Sequence, residues 1–570
     1  MRQFVLVDQS LRDLGGHHYP FAVGVLKAAA AAGLAPVLAT HRGFRDREHL
    51  PAAWQVHSVF RHPSYSHLTL DLQAARGRSR LASLRQFLGL GDERGRRRHV
   101  RAIAEDCARL FSEVTLGDGD QVLMATTSEL DFAGLVEFLA GTPATHNADW
   151  HMLFHFPIFR GREPDYAAQS AVPAAVRAVF RAALDRLPRH GLYFYCTTQP
   201  LADQYARLGV APFIVLPYPV HELFRAAPRT DATRPLQIAC VGHSRREKGY
   251  GHLEEIVRPL WADYFAQGRA QLALQTSKRK DRLVLPRGTG QAPARAGIEP
   301  VTYAPFPLDL ERYAALVRTA DIGLMIYESE RYYTRCSGVL LEMLCSGVPV
   351  IVPAGSWLAE QIAEENQRWL AEAAGWLPRV PQDAAAGVQQ SAILEFGQTA
   401  ATIELAVTPG ASDLLLCFRW QAPAESGTYV RVEAEQFDAG GVRLKSSVVI
   451  AGHRPAGDAV RALVHLSAGS ARVRLSWRNA WHDGPITLSG VEQVFVTAAT
   501  LPGGHCPTGA VGLAFSEVGE ISELLREMLD HIGHYRERAR VFSLTCADHH
   551  NPQRLVAELL SRAGAIDPVS

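Results

Sequence analysis

The chain is poor in several things at once. It holds only five lysines in 570 residues, so nearly all of its positive charge is arginine, a pattern that fits GC-rich coding before it fits any function. It has no surplus of either sign. Lys+Arg 59 against Asp+Glu 58 gives a net charge of +1, which leaves no bulk field for nucleic acid. The eight cysteines (107, 196, 240, 336, 345, 417, 506 and 546) include no CxxC pair. That argues against a metal cluster or a disulfide framework and for reduced thiols in a cytoplasmic protein. No apolar run approaches the roughly 18 residues of a membrane span. The run before Asp8 is too short for a signal-peptide core. Short-period repeats and low-complexity tracts are also missing.

What is present is ample core material: 47% hydrophobic and 21% charged residues. The length exceeds what one core of roughly 250–300 residues can use, so several domains are required. Residues 1–220 alternate apolar runs (4–8, 35–40, 120–126, 191–198) with Ala/Leu-rich amphipathic stretches such as 20–32, the pattern of a parallel α/β sheet. A linker with Pro217, Pro219 and Pro228 follows. A second alternating block (strands expected at 235–242, 270–277, 321–328 and 348–354) occupies 231–380. From about 388 the texture changes to short alternating strands at regular spacing, which predicts a β-sandwich over 386–503. The α/β texture returns at 507–570, so the sandwich reads as an insertion in the second domain. The fold class expected is α/β, two Rossmann-like domains with an inserted β-sandwich, and any ligand belongs in the cleft at the carboxyl ends of the strands.

Two loops of the second block carry the chemistry. Gly242-His243-Ser-Arg245-Arg246-Glu-Lys248-Gly249 directly follows a strand, so free backbone amides and three cations could meet a phosphate. It is not a Walker A loop, and a plain charged loop is the alternative reading. Thr334-Arg335-Cys-Ser337-Gly338-Val339-Leu-Leu-Glu342 places Ser337-Gly338 at a helix start, with Glu342 one turn in as a ribose acceptor. An ordinary capped helix explains Ser337 and Gly347 equally well. Both loops in one domain predict a bipartite site for a nucleotide diphosphate.

VGHSRREKG, ADIGLMIY and SGVLLEMLCSGVPVIVP, with the GGHHY loop (15–19), resemble the retaining GT-B glycosyltransferases of the "group 1" superfamily over about 1–365 and 507–560. The resemblance implies that Lys248 binds the donor diphosphate, Glu342 holds the ribose, and the amides of Gly338 and Val339 bind phosphate. It implies a retaining, front-face transfer from a nucleotide-sugar donor to a glycan or lipid-linked glycan, with no cofactor and no metal. The family's second Glu is Thr334 here, and its phosphate-loop Arg is His243, with Arg245 or Arg246 as substitutes and Arg335 as a candidate for the sugar subsite. The first domain would supply a histidine facing the donor: His146 first, then His151 and His155, with aromatic packing as the alternative. Gly15 and Gly16, followed by His17 and His18, would give the facing loop its close approach.

Three further features stay open. Nine arginines between Arg76 and Arg101, interleaved with Leu81, Leu84, Phe87 and Leu88, are either a peripheral membrane contact for anionic lipid or a solvated helix. The sandwich resembles galactose-binding-like jelly rolls. Its Trp420, Trp477 and Trp481 either stack on sugars or form its core, and the module is either a carbohydrate binder or a spacer or oligomerisation unit. Against the enzyme stands a degenerate GT-B-like scaffold with a lectin sandwich; a GT-B sugar-nucleotide epimerase is a third possibility.

Overall fold

The apolar runs of the first 220 residues pair as one parallel sheet: β1 (Gln3–Asp8), β2 (Ala35–His41), β3 (Gln55–Phe60), β4 (Gln121–Thr127), β5 (Asp149–Phe154), β6 (Leu192–Cys196) and β7 (Ile214–Val215). The computed structural model describes residues 1–64, 93–145, 147–187, 191–226, 234–242, 245–276, 299–381, 389–395, 399–421, 428–454, 459–479 and 485–563. The order β3-β2-β1-β4-β5-β6-β7 runs outward from β1 one way and from β4 the other. That reversal opens a crevice at the carboxyl ends of β1 and β4. Helices cover both faces of the sheet, so β1 buries every residue from Phe4 to Asp8 and reads as a continuous apolar run.

A second parallel sheet begins with β8 (Leu236–Cys240), β9 (Ala270–Gln275), β10 (Val301–Ala304), β11 (Ile322–Leu324) and β12 (Val350–Pro353). The chain then leaves through the helix Trp357–Trp376 into eight antiparallel strands: β13 (Gln389–Leu394), β14 (Thr399–Ala406), β15 (Asp413–Gln421), β16 (Thr428–Phe437), β17 (Arg443–Arg454), β18 (Ala459–His465), β19 (Arg472–Asn479) and β20 (Ile486–Val496). It returns as β21 (Gly512–Phe515), parallel to β12, and completes the order β10-β9-β8-β11-β12-β21. The direction of this sheet reverses between β8 and β11, at the strand end that leads into Gly242.

The sandwich sheets run β13-β20-β15-β18 and β14-β19-β16-β17. First pairs with eighth and second with seventh, the nested Greek-key order of a jelly roll. Alternation builds its core. Val473, Leu475 and Trp477 of β19 point inward between Arg472, Arg474, Ser476 and Arg478, and meet Leu414, Leu416, Phe418 and Trp420 of β15. The fold class is the expected one.

One helix holds the insertion to its host. Asn366 donates from Nδ2 to the Gly512 carbonyl at 2.9 Å, and its Oδ1 accepts from the amides of Ala510 and Val511 at 2.8 and 3.2 Å. Its neighbour Gln367 exchanges two 2.7 Å hydrogen bonds with the backbone of Arg461 in β18. The helix Pro552–Ala563 closes the chain on the first domain, where a Cβ on Gly24 would touch the Pro552 ring at 3.2 Å.

Candidate functional site

The first strand-to-helix turns of the two parallel sheets face each other. Gly242, two residues past the end of β8, takes φ +91°, its amide held by Gln275 Oε1 at 2.7 Å. A Cβ at Gly242 would lie 2.6 Å from Lys248 Nζ and 3.3 Å from Val339 Cγ2. Loop glycine, lysine and helix start therefore close on one point. The turn Arg246–Lys248 is followed by Gly249 at φ +67°, where a Cβ would run into the Ile326 carbonyl oxygen. Only glycine fits there. Gly249→Ala is expected to lose at least about 2 kcal/mol of stability, since a left-handed backbone alone costs about 1–2 kcal/mol per residue. Chemical denaturation checks this, and a loss below about 0.5 kcal/mol, the range of a bland surface change, would overturn it.

The helix Gly338–Cys345 is capped by Ser337, whose Oγ accepts from the Leu340 amide at 3.3 Å. The amides of Gly338 and Val339 are the helix-start donors left over. Glu342, 5% exposed, accepts from the Tyr313 hydroxyl at 2.7 Å through Oε2. Burial pushes its carboxyl up to about 7, against the opposing pull of that hydrogen bond and of the Lys248 charge. Lys248 lies with Nζ 5.0 Å from the centre of the Tyr327 ring. Burial lowers the pKa of Lys248 and of the Arg335 guanidinium. Neither cation is salt-bridged to a carboxylate among the described residues. Arg245 is exposed and only 3.9 Å from Glu247. The side chain of Arg246 and all of His243 lie outside the described residues.

From the first domain, Gly15 and Gly16 bring the opposing loop in. A Cβ on Gly15 would sit 2.6 Å from that of Pro307, and Gly16 takes φ +79°. His17 and His18 follow, their rings stacked at 4.2 Å. The Tyr218 hydroxyl donates to the His17 carbonyl at 3.4 Å, and a Cβ on Gly338 would meet both residues at 3.5 Å. His18 Nδ1 bonds the buried Asp8 carboxylate at the end of β1 at 2.8 Å. Burial opposes charge on His18, yet Asp8 prevails and its pKa is raised. His17 goes the other way. Burial first, then His18, His155, Arg245 and Lys248, hold it well below the usual range, so it faces the cations as a neutral ring. His155, bonded through Nε2 to the Ala125 carbonyl at 2.9 Å, is depressed by burial to about 4.

The segment before Ser337 is braced on the first domain. Thr198 Oγ1 donates to the Thr334 carbonyl at 2.6 Å, Arg162 donates to Ser329 Oγ at 2.6 Å, and Tyr333 packs within the first domain's apolar core. This holds Arg335 between anchored neighbours.

The structure thus brings together Gly15, Gly16, His17, His18, Gly242, Arg245, Lys248, Arg335, Ser337, Gly338, Val339 and Glu342. It does not bring His151 there. That side chain is buried in the first domain, with Nε2 on Gln121 Oε1 at 2.8 Å and Nδ1 on the Tyr195 hydroxyl at 3.1 Å, because β5 turns it into a helix-covered face. His146 lies outside the described residues, as do Trp481 and the stretch 65–92, which holds four of the nine arginines of the cluster. Trp420 and Trp477 are 1% and 0% exposed and pack against Phe418. They offer no face to a sugar, and the core reading replaces the stacking one. Asp8 carried a legible signal, a charge ending an apolar strand. Tyr218, Tyr313 and Gln275 carried none, since only the tertiary fold brings them to these loops.

No protein-family profile and no curated protein matches the chain. Among solved structures it is similar to the trehalose-6-phosphate synthase OtsA, at 14% identity over 63% of this chain and 86% of that one, with a TM-score of 0.40. A glycosyltransferase from Rickettsia africae ESF-5 is similar at 11% identity over 64% and 83%, TM-score 0.40. The glycosyltransferase SnogD from Streptomyces nogalater is similar at 18% identity over 62% and 81%, TM-score 0.33. Likeness at this level leaves the chemistry to be argued from the site itself.

Proposed function

We propose that the chain is a glycosyltransferase that moves a sugar from a nucleotide diphosphate donor to a hydroxyl of a glycan or lipid-linked glycan. The observation that carries this reading is the excess of positive charge. Among the described residues Lys248 and Arg335 lose solvent without a salt bridge to a carboxylate, beside the spare amides of Gly338 and Val339, so positive charge and free donors converge where an anionic group would fit. A diphosphate supplies one, and Glu342 one helical turn on suits the ribose hydroxyls. Such preorganised donors stabilise charge that develops on a leaving group. In the proposed transfer the bond from the anomeric carbon to the diphosphate oxygen breaks while the acceptor oxygen bonds to that carbon from the same face. The acceptor proton passes to the departing phosphate, so configuration is retained and no metal or cofactor takes part. His146, in the connection leading into β5, is the proposed contact to the donor sugar from the first domain.

A panel of nucleotide sugars in a donor-hydrolysis and thermal-shift screen tests the proposal. Neither turnover nor a shift with any of them would defeat it. The lectin alternative loses its main support with Trp420 and Trp477 in the core.

The carboxyl of Glu342 adds a pH signature. Ribose hydroxyls donate to the ionised form, which fills as pH rises through about 7. Nucleotide-sugar affinity should therefore rise about tenfold between pH 6 and pH 8, the change in ionised fraction of a single group titrating near 7. Calorimetric titration reads this directly, and an affinity that is flat or falling with pH would contradict it.

We also propose a peripheral membrane contact through Arg76–Arg101. The described end of this stretch, at the start of the helix Glu93–Glu113, already pairs Arg97 with Glu93 and Arg101 with Glu105. Binding should thus be modest and carried mainly by anionic lipid. Co-sedimentation with anionic and neutral liposomes is the measurement, and equal absence from both pellets would end the idea.

A further inference from the structure

Where the sandwich joins its host, three side chains converge on one point. Asp413 opens β15, His465 ends β18, and His505 lies in the segment returning to β21. Asp413 Oδ1 stands 2.6 Å from His465 Nδ1 and 3.0 Å from His505 Nδ1, and one ligand atom from each of the three falls within a 4.8 Å span. Asp413 is fully buried, while the two imidazoles are 23% and 34% exposed. We propose that this cluster binds a borderline-soft divalent transition-metal ion such as Zn2+, which clamps the sandwich to the second α/β domain.

Three observations support the assignment. The donor set is two imidazoles and one carboxylate, a combination suited to Zn2+ with a position left for water. The outer side of His465 is also prepared. Its Nε2 faces Glu527 Oε2 at 3.6 Å, and the other oxygen of Glu527 is held by the Thr508 amide, the Thr508 hydroxyl and the Tyr535 hydroxyl at 2.8, 2.8 and 2.6 Å. A carboxylate behind a ligating histidine is the usual arrangement for fixing its ring. Finally, His465 and Glu527 line a cleft of about 710 Å³ between sandwich and host, which gives an ion a route in. None of these residues belongs to the loops that face the nucleotide site, so the clamp is independent of the transfer proposed above.

The test uses the full chain stripped with chelator and then dialysed against Zn2+. Metal content by mass spectrometry should approach one equivalent, and His505→Gln, at the most exposed ligand, should lower it to below about a fifth of that. His465→Gln should do the same should the first variant disturb the return segment, and circular dichroism would report whether either remains folded. Loading with Co2+ should give visible d–d bands without the near-ultraviolet thiolate transition, which sets this site apart from adventitious binding at cysteine. Failure of the wild-type chain to bind, equal binding by the folded variants, or a thiolate band would each overturn the proposal.

Discussion

Replacing Lys248 with alanine should lower turnover of the nucleotide sugar by about 10²–10³-fold, the usual effect of deleting one preorganised donor to a developing anion. The residue is poised for that role by what surrounds it. Its ammonium abuts Gly242 and the first turn of Gly338–Cys345, lies over the Tyr327 ring, and has lost enough solvent for its pKa to fall. A lysine kept there without a carboxylate works against folding. Lys248→Met, which keeps the stem and removes the charge, should thus match or exceed the wild-type chain in thermal stability while losing as much activity as the alanine variant. The neighbouring cations Arg335 and Arg245 would remain, so residual turnover above the uncatalysed rate is expected. Steady-state kinetics with the best donor from the screen supplies the measurement. A fall of less than about tenfold, or roughly 1.4 kcal/mol, would mean that the ammonium does not meet the leaving group.

Glu342→Gln should trade in the same direction, with a pH dependence that identifies it. A neutral amide accepts less strongly from ribose hydroxyls, and hydrogen bonds to a charged group are worth about 1.5–3 kcal/mol, so donor affinity should drop roughly 10–100-fold at pH 8. Stability should move oppositely. The folded carboxyl titrates near 7 against 4.5 for the free side chain, because burial penalises its charged form. A raised carboxyl leaves the fold unpenalised below pH 4.5 and penalised above 7. The shift corresponds to roughly 3 kcal/mol. The glutamine variant should therefore unfold at higher denaturant than the wild type at pH 8, with the gain shrinking toward pH 5. The Tyr313 hydroxyl still has an oxygen to bond, so no orphaned donor offsets the gain. A variant less stable than the wild type at pH 8 would show that the carboxylate is held by contacts stronger than its burial.

How much of this could be read in advance depends on how local the cause is. The order of the two parallel sheets was not written in any one segment, but the alternation of apolar runs and amphipathic stretches was enough to indicate them. The helix start at Ser337-Gly338 and the lysine at 248 are set by short-range capping and turn chemistry, and both stand where the motif spacing placed them. The histidines show the limit. His151 and His155 lie four residues apart around one strand, yet one is locked into Gln121 and Tyr195 and the other stands near His18 and Asp8. The tryptophans of the sandwich show the same limit. Alternation fixed that Trp477 lies on the same face as Val473 and Leu475, but only the second sheet decides that this face is covered.

The placement of the sandwich between β12 and β21 also dictates an order of events during folding. Asn366 bonds the Gly512 carbonyl across 146 residues of sequence, so the edge strand of the second sheet must wait for everything between to emerge. Closing so long a loop in a fluctuating chain is slow, because its entropy is lost before the pairing rewards it. If the sandwich condenses first as a unit, its two ends come together and the effective loop shrinks to little more than the linkers. The second α/β domain then completes only after its guest has folded. A mutation that slows the jelly roll would leave Val350–Pro353 without its outer neighbour, as an unpaired apolar strand edge of the kind that draws chains into aggregates.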